Sequence, residues 1–284
     1  MTGDMTTVLR IAAFSDGDAG GNPAGVVIGP HPSEDEMRRI AAELGYSETA
    51  FLLPRDDAAL DVRYFSPVAE VSFCGHATIA ASIAHGERHG PGERLLHTPA
   101  GLVRVMVEKE ADGFSATFAS VEPRVTPLEP GDLDRILAAL RWRREDLDPA
   151  LPPAVAYAGA SHPVIAVATR ERLARLDYDF DALRELMSAR GWTTVDLVWR
   201  KDATHFHARN PFPPGGVVED PATGAAAAAF GAYLADRGAL PASRAFDIRQ
   251  GEDMGRPSRI AVSVPRDLRE GVRVGGTAVR LAAD

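Results

Sequence analysis

Phe73-Cys74-Gly75-His76-Ala77-Thr78-Ile79-Ala80-Ala81-Ser82-Ile83-Ala84-His85 and Gly224-Ala225-Ala226-Ala227-Ala228-Ala229-Phe230-Gly231-Ala232-Tyr233-Leu234-Ala235-Asp236 decide the fold. Each reads as a helix from Gly75 to His85 or from Gly224 to Asp236, built from small residues and apolar nearly all round. A helix without a polar face is buried rather than laid on a surface, and small side chains suit one wrapped by a sheet. Each follows a strand and a turn, which implies two halves of related architecture.

Working outward, Val8 to Phe14 reads as a strand. Gly17, Gly20, Gly21, Asn22 and Pro23 form a turn-rich loop before a second strand at Gly25 to Ile28. Ser33, followed by Glu34, Asp35 and Glu36, predicts an N-cap with acidic residues in the first turn of a helix that Gly45 ends. Ser47 to Leu53 and Asp61 to Phe65 are strands, and Val103 to Glu108 with Phe114 to Phe118 is a hairpin around Asp112-Gly113. An acidic, proline-rich stretch from Glu122 to Pro153 holds one amphipathic helix near Leu133 to Leu140. The expected division is therefore 1–120 and 121–284, with the last strand free to pair back with the first domain.

With 284 residues and 45% apolar content, the chain can bury a sizeable core. A formal charge of −9 excludes a general attraction to nucleic acid or anionic bilayers. No apolar run reaches the roughly 20 residues of a membrane span, and the first residues do not form a signal peptide. The expectation is a soluble, cytoplasmic protein. The only lysines are Lys109 and Lys201, so Schiff-base chemistry has two candidates. The only cysteine is Cys74, so neither an internal disulfide nor a two-thiol site is available within one chain.

Dinucleotide, phosphate-loop and zinc-helix motifs are absent. His205-Phe206-His207 puts two imidazoles on one face of a strand, without a clear set of further metal ligands nearby. What remains is polar residues in apolar surroundings. Glu48 stands at the mouth of the strand Thr49-Ala50-Phe51-Leu52-Leu53, where partial desolvation suits a carboxyl to proton shuttling, although a solvated strand-end carboxylate has the same sequence signature. His76 opens the first buried helix, whose amides form an anion site and whose dipole favours a neutral imidazole. A core histidine and a small buried thiol are the plain alternatives for His76 and Cys74. Asp220 suits an N-cap with Pro221 at the first helical position. Asn22 is either part of a plain turn or presented to a ligand.

Taken in order, Gly21-Asn22-Pro23-Ala24, Ser47-Glu48-Thr49-Ala50-Phe51, Phe73-Cys74-Gly75-His76-Ala77-Thr78, Glu219-Asp220-Pro221-Ala222-Thr223-Gly224, and Gln250-Gly251 with Met254-Gly255-Arg256-Pro257-Ser258 resemble the PhzF family of phenazine-biosynthesis-like isomerases. The resemblance runs from about Val8 to Ser258. It implies an α/β, diaminopimelate epimerase-like fold: two similar domains, each a curled sheet or barrel around a central helix, with the active site in the interdomain cleft. It also implies a homodimer and proton transfer without cofactor or metal, as in the family enzyme that isomerises trans-2,3-dihydro-3-hydroxyanthranilate. The catalytic positions carried over are Glu48 as acid/base, His76 and Asp220. Asn22, Cys74, Gly75, Thr223, Gly224 and Ala225 are expected to line the substrate site.

Two departures from the phenazine enzymes bear on the substrate. Ala225 replaces a serine that the resemblance gives a binding role, and Cys74 stands where a small residue is common. Diaminopimelate epimerase and proline racemase use two thiols, one before each central helix; Cys74 occupies the first place and the second, near Asp220-Pro221-Ala222, has none. The reading is a cofactor-independent isomerase that shifts a proton on a small carboxylate-bearing metabolite. The alternatives are a racemase or epimerase that uses Cys74, and a metabolite-binding protein without turnover.

Overall fold

The computed structural model describes residues 7–17, 20–30, 32–55 and 59–282. The chain divides into two compact units, one formed by 1–119 with 275–284 and the other by 120–274.

In the first unit the elements run β1 (Val8–Ala13), β2 (Asn22–Ile28), α1 (Glu34–Leu44), β3 (Glu48–Pro54), β4 (Leu60–Phe65), β5 (Glu70–Val71), α2 (Gly75–His89), β6 (Gly92–Thr98), β7 (Gly101–Glu110) and β8 (Gly113–Ala119). β1 pairs antiparallel with β2, which runs parallel to β3; β3 pairs antiparallel with β4, which runs parallel to β6; β6, β7 and β8 form an antiparallel meander. The C-terminal strand Arg273–Arg280 pairs with both β8 and β1, closing the strands into a barrel. α2 packs inside against β1, β2, β3, β7 and β8. His76 through Gly86 are buried without a break. The small residues are what allow this: a Cβ on Gly86 would lie 2.6 Å from a Val107 methyl.

α1 covers the outside of this barrel. Ser33 caps it by accepting from the Glu36 amide, and Gly45 ends it in the left-handed conformation. Met37, Ile40 and Ala41 pack on Val27, Phe51 and Phe65. The turn before β2 is shorter than the sequence suggests. Gly20 and Gly21 take positive φ, and the Gly21 α-carbon comes so near the Ala13 carbonyl that a Cβ would meet it at 2.7 Å. Those two glycines complete the reversal, so Asn22 and Pro23 already belong to β2, opposite Ala13 and Ala12.

The second unit contains β9 (Arg124–Pro127), α3 (Pro130–Leu140), β10 (Ala154–Tyr157), β11 (Ser161–Val167), α4 (Arg170–Ala174), α5 (Phe180–Arg190), β12 (Asp196–Arg200), β13 (His205–Phe212), β14 (Val217–Asp220), α6 (Gly224–Asp236), β15 (Ala245–Gln250) and β16 (Ser258–Ser263), before the closing strand β17 (Arg273–Arg280) returns to the first unit. β9, β10 and β11 are antiparallel neighbours; β11 runs parallel to β12, β12 antiparallel to β13, and β13 parallel to β15, which pairs antiparallel with β16. α6 packs against β9, β10, β11 and β16. A Cβ on Gly231 would meet methyls of Val264, Val272 and Val262 at 3.0–3.2 Å, and Phe230 fits among Phe206, Phe246 and Tyr233. On the other face, α3 and α5 bury Leu133, Ile136, Leu140, Leu183, Leu186 and Met187 against Ile165 and Leu197. No helix among the described residues is long and apolar enough to cross a membrane.

The second unit also contains a buried polar chain. The His162 Nδ1–H donates to the Thr194 hydroxyl (2.8 Å), which donates to Asn210 Oδ1 (2.6 Å), while Asn210 Nδ2 donates to Asp196 Oδ1 (3.2 Å). Burial pushes the Asp196 carboxyl up to about 7 and the His162 imidazole down to about 4. Their effects on stability oppose one another. From its ordinary 3.8 up to about 7, Asp196 keeps a proton in the folded state that the unfolded chain has lost, so its contribution falls as pH rises. Between about 4 and its ordinary 6.5, His162 lacks a proton that the unfolded chain carries, so its contribution rises with pH. Urea midpoints across pH 4–7 should therefore show Asp196→Asn gaining on the wild type as pH rises. His162→Gln should lose ground over the lower part of that range. Each slope is bounded at about 1.4 kcal/mol per pH unit, and parallel profiles for the two variants and the wild type would remove both assignments.

Candidate functional site

Around the start of α2, the beginnings of β2 and β3 and the helix N-terminus bring five polar side chains of the first unit together: Asn22, Ser47, Glu48, Cys74 and His76. Phe73 anchors the approach, its ring edge-on to Tyr64 at 6.1 Å and to Phe118 at 5.6 Å. Cys74 follows in extended conformation as the N-cap residue, with no side-chain cap. The Thr78 hydroxyl donates to the Cys74 carbonyl at 2.7 Å and lies 2.7 Å from the Tyr64 hydroxyl, fixing the backbone from which the thiol projects. Burial holds the Tyr64 phenol well above its usual range, so it stays a neutral partner.

β2 and β3 run parallel with Ala24 opposite Glu48, which places Asn22 and Ser47 at neighbouring strand starts. Asn22 Nδ2 lies 3.3 Å from His76 Nδ1, and Ser47 Oγ lies 3.3 Å from His76 Nε2. An amide nitrogen can only donate, so Nδ1 accepts and the neutral ring carries its proton on Nε2. That proton faces Ser47 Oγ and Glu48 Oε2, the latter 3.5 Å from Nε2. The Cys74 thiol donates toward the same Glu48 oxygen at 3.4 Å and also lies 3.4 Å from His76 Nδ1. Cys74 and His76 are buried, at 8% and 6% exposure, whereas the Glu48 side chain is 17% exposed. Of Glu48, Cys74 and His76, the carboxylate is thus the most open to solvent.

The sequence-predicted residues of the second unit form their own braced turn. Asp220 is the last residue of β14 and not the N-cap of α6, which is Thr223. Pro221 is accordingly not the first helical residue. The physical reason is that Asp220 stays paired in the sheet opposite Asn210, which postpones the helix by three residues. Asp220 Oδ2 accepts from the Thr223 hydroxyl at 2.6 Å. Gln250, buried in β15, accepts from the Thr223 amide at 3.1 Å and donates to the Asp220 carbonyl at 2.7 Å. Gly251 adopts φ +75°, and a Cβ there would sit 2.2 Å from the Arg256 carbonyl oxygen and 2.8 Å from that of Pro221. Just before Asp220, Glu219 is held in a buried ion pair with Arg209, at 2.5 and 2.9 Å. Gly224 and Ala225 form the first turn of α6, which like α2 has no side-chain cap.

Ser47, which contacts His76, and Gln250, which braces the Asp220–Thr223 turn, carry no role of their own in the sequence reading, although both stand beside or within the motif blocks. The histidine pair near β13 has other work: His205 lies 2.9 Å from Asp202, and His207 lies 2.7 Å from Glu252. Among the described residues, Glu48, Cys74 and His76 are the group of three or more His, Cys, Asp or Glu side chains whose donor atoms converge closely enough for one ion.

The family model of phenazine biosynthesis-like proteins, PhzC-PhzF, matches residues 11–283. The chain belongs to the PhzC-PhzF family. It is similar to the uncharacterized isomerase YddE of Escherichia coli, at 36% identity over 96% of each chain. It is 30% identical to the trans-2,3-dihydro-3-hydroxyanthranilate isomerase of Pseudomonas aeruginosa, over 90% of this chain and 89% of that one. The fold is that of a Bacillus anthracis PhzF-family protein, with a TM-score of 0.86 at 24% identity and coverage of 98% and 97%. A proline racemase from Agrobacterium radiobacter shares it more distantly, with a TM-score of 0.68 at 16% identity and coverage of 96% and 90%. This PhzC-PhzF member is an isomerase by family and has the mixed α/β fold common to PhzF proteins and proline racemases.

The tautomer derived for His76 gives a direct test. Nitrogen-15 NMR of the labelled imidazole in its neutral form should report an unprotonated Nδ1 and a protonated Nε2. Asn22→Ala should shift the balance toward the other tautomer. A wild-type spectrum with the proton on Nδ1 would contradict the assignment.

Proposed function

We propose that this PhzC-PhzF protein catalyses a proton shift on a small carboxylate-bearing metabolite, with Glu48 as the single acid/base. The observation that carries the proposal is the convergence of Cys74 Sγ and His76 Nε2 on Glu48 Oε2, at 3.4 and 3.5 Å, with the carboxylate more exposed than either neighbour. A carboxylate placed this way can take a proton from a substrate carbon while the electron pair moves into an adjacent π system. It then returns the proton to another carbon on the same face, so the product is an isomer and nothing else is consumed. The protonated Nε2 of His76 is suited to donate a hydrogen bond to substrate, a role in which orientation contributes more than charge.

The first amides of α2 have no acceptor within the helix, and the helix dipole adds to their attraction for a carboxylate. Gly75 and Cys74 are proposed to meet the substrate there, with Asn22 holding the His76 ring. Asp220 is proposed as a positioning group in the family's role, supported by its brace from Thr223 and Gln250. Thr223, Gly224 and Ala225 are proposed to contribute substrate contacts. Ala225, in place of the serine expected from the phenazine enzymes, argues for a different substrate from that of the Pseudomonas aeruginosa isomerase.

A second reading, a racemase acting through Cys74, draws on the 3.4 Å contact between the thiol and Glu48. The two readings separate on variants. A thermal-shift screen with small cyclic amino acids and hydroxy acids supplies a ligand, and NMR then follows solvent deuterium entering it. Glu48→Gln should slow exchange by about 10²–10⁴-fold, whereas Cys74→Ala should keep exchange with altered binding. Exchange at the wild-type rate in Glu48→Gln removes the carboxylate from the chemistry. Near-complete loss in Cys74→Ala favours the thiol.

A further inference from the structure

A cavity of about 420 Å³ in the second unit is lined by three arginines: Arg124 at the start of β9, Arg244 before β15 and Arg266 after β16. Asp236, at the end of α6, is the one carboxylate beside them, and Val125, Ala232 and Leu268 add apolar wall. We propose that this cavity binds a small organic anion that carries a phosphate, or two neighbouring carboxylates, on an apolar body. Its volume falls within the range of small-molecule sites, about 300–1,000 Å³. It shares no residue with the α2 cluster or with the Asp220 turn. The 13 residues of α6, about 20 Å at 1.5 Å each, set Asp236 apart from Thr223.

Among the described residues, none of the three arginines forms an ion pair. Arg124 lays its guanidinium on the Tyr157 ring, 3.7 Å from the centroid, which orients the group and leaves its N–H edge open. Arg244 takes φ +55°, uncommon for a residue with a β-carbon. It donates through Nε to the Val264 carbonyl at 2.9 Å and through Nη2 to the Pro265 carbonyl at 2.6 Å. Carbonyls fix that side chain without cancelling its charge, and Nη1 keeps its protons for another acceptor. Arg266, exposed, follows directly after Pro265. Capping of α6 does not account for this group, because the helix carbonyls at Tyr233, Leu234 and Ala235 accept from the backbone amides of Arg237, Ala239 and Gly238. Asp236 lies 3.6 Å from Arg237. Three positive charges thus face one negative charge, in a protein of formal charge −9. Forked guanidinium N–H groups match the paired oxygens of a phosphate or carboxylate. Arg124 and Arg244 are already ordered, so less conformational entropy is lost on binding.

This site does not depend on the proton-shift reading, and its test needs no turnover. Isothermal titration calorimetry of the full chain is carried out with phenyl phosphate and, separately, with citrate. At least one probe should bind at one equivalent with a Kd of about 1 mM or tighter, and the tighter of the two identifies the head group. Arg124→Gln and Arg266→Gln should each weaken that binding about 10–100-fold, the loss of one charge-assisted hydrogen bond. Arg266→Lys should fall between the wild type and Arg266→Gln, because the charge remains without the fork. Asp236→Asn should tighten binding. Arg244 is left unchanged because it also ties the start of β15 to the end of β16, and circular dichroism establishes that each variant is folded. Failure of both probes to bind the wild type at about 1 mM overturns the proposal. So does an affinity that is the same in Arg124→Gln, Arg266→Gln and the wild type, which would place the probe elsewhere on the protein.

Discussion

The close approach of strands to a helix almost without side-chain volume is the constraint on which the rest of this structure depends. In the first unit, β2 and β8 can lie against α2 because Ala77, Ala80, Ala81, Ala84 and Gly86 present little more than backbone. Interiors pack at crystal-like density, so added volume has nowhere to go. A helix held this tightly cannot slide or rotate, and its first turn inherits that rigidity. Cys74 and His76 owe their positions to the ten buried residues that follow them, from Ala77 to Gly86.

Rigidity at the helix head also explains why the polar cluster is tolerable. Buried polar groups cost free energy unless paired. Here the imidazole is contacted by Asn22 on one nitrogen and by Ser47 and Glu48 on the other. Pairing of this kind orders a side chain, and it spends hydrogen-bonding capacity that a merely structural histidine would satisfy with backbone. The second unit treats its turn in the same way. Gln250 reaches across from β15 to occupy the Thr223 amide and the Asp220 carbonyl, and Gly251 lets the chain pass where no side chain fits. In both places a residue of weak local preference is fixed by a partner distant in sequence.

That distance sets how much could be read from the chain alone. The buried helices, the α1 cap at Ser33, its stop at Gly45 and the hairpin at Asp112-Gly113 were legible, because each is written in a few adjacent residues whose periodicity or turn chemistry has one common solution. The site residues in the quoted blocks were legible only as a set, since Glu48 or His76 by itself reads equally well as a surface carboxylate or a core histidine. The cap explanation for Asp220 rests on Asp-Pro before a helical run, a strong local signal, and pairing with Asn210, ten residues earlier, overrides it. The chain His162, Thr194, Asn210 and Asp196 had no local signature at all. Its members are separated by 32, 16 and 14 residues along the hydrogen bonds that join them.

The single thiol acquires its meaning from the same geometry. A racemase that works with two thiols needs an acid and a base on opposite faces of one carbon, and one Cys74 cannot supply both. A carboxylate acting alone must return the proton on the face from which it came, so the stereochemical outcome is tied to a single side chain. If Glu48 is that carboxylate, as proposed, its partners suit the demand: both Cys74 and His76 approach the same oxygen, Oε2. Neutral hydrogen-bond donors on one oxygen stabilise its charge while the other oxygen keeps its lone pairs for the substrate. On the proposed one-base reading, the thiol that is surplus to the chemistry would serve the carboxylate as a hydrogen-bond donor.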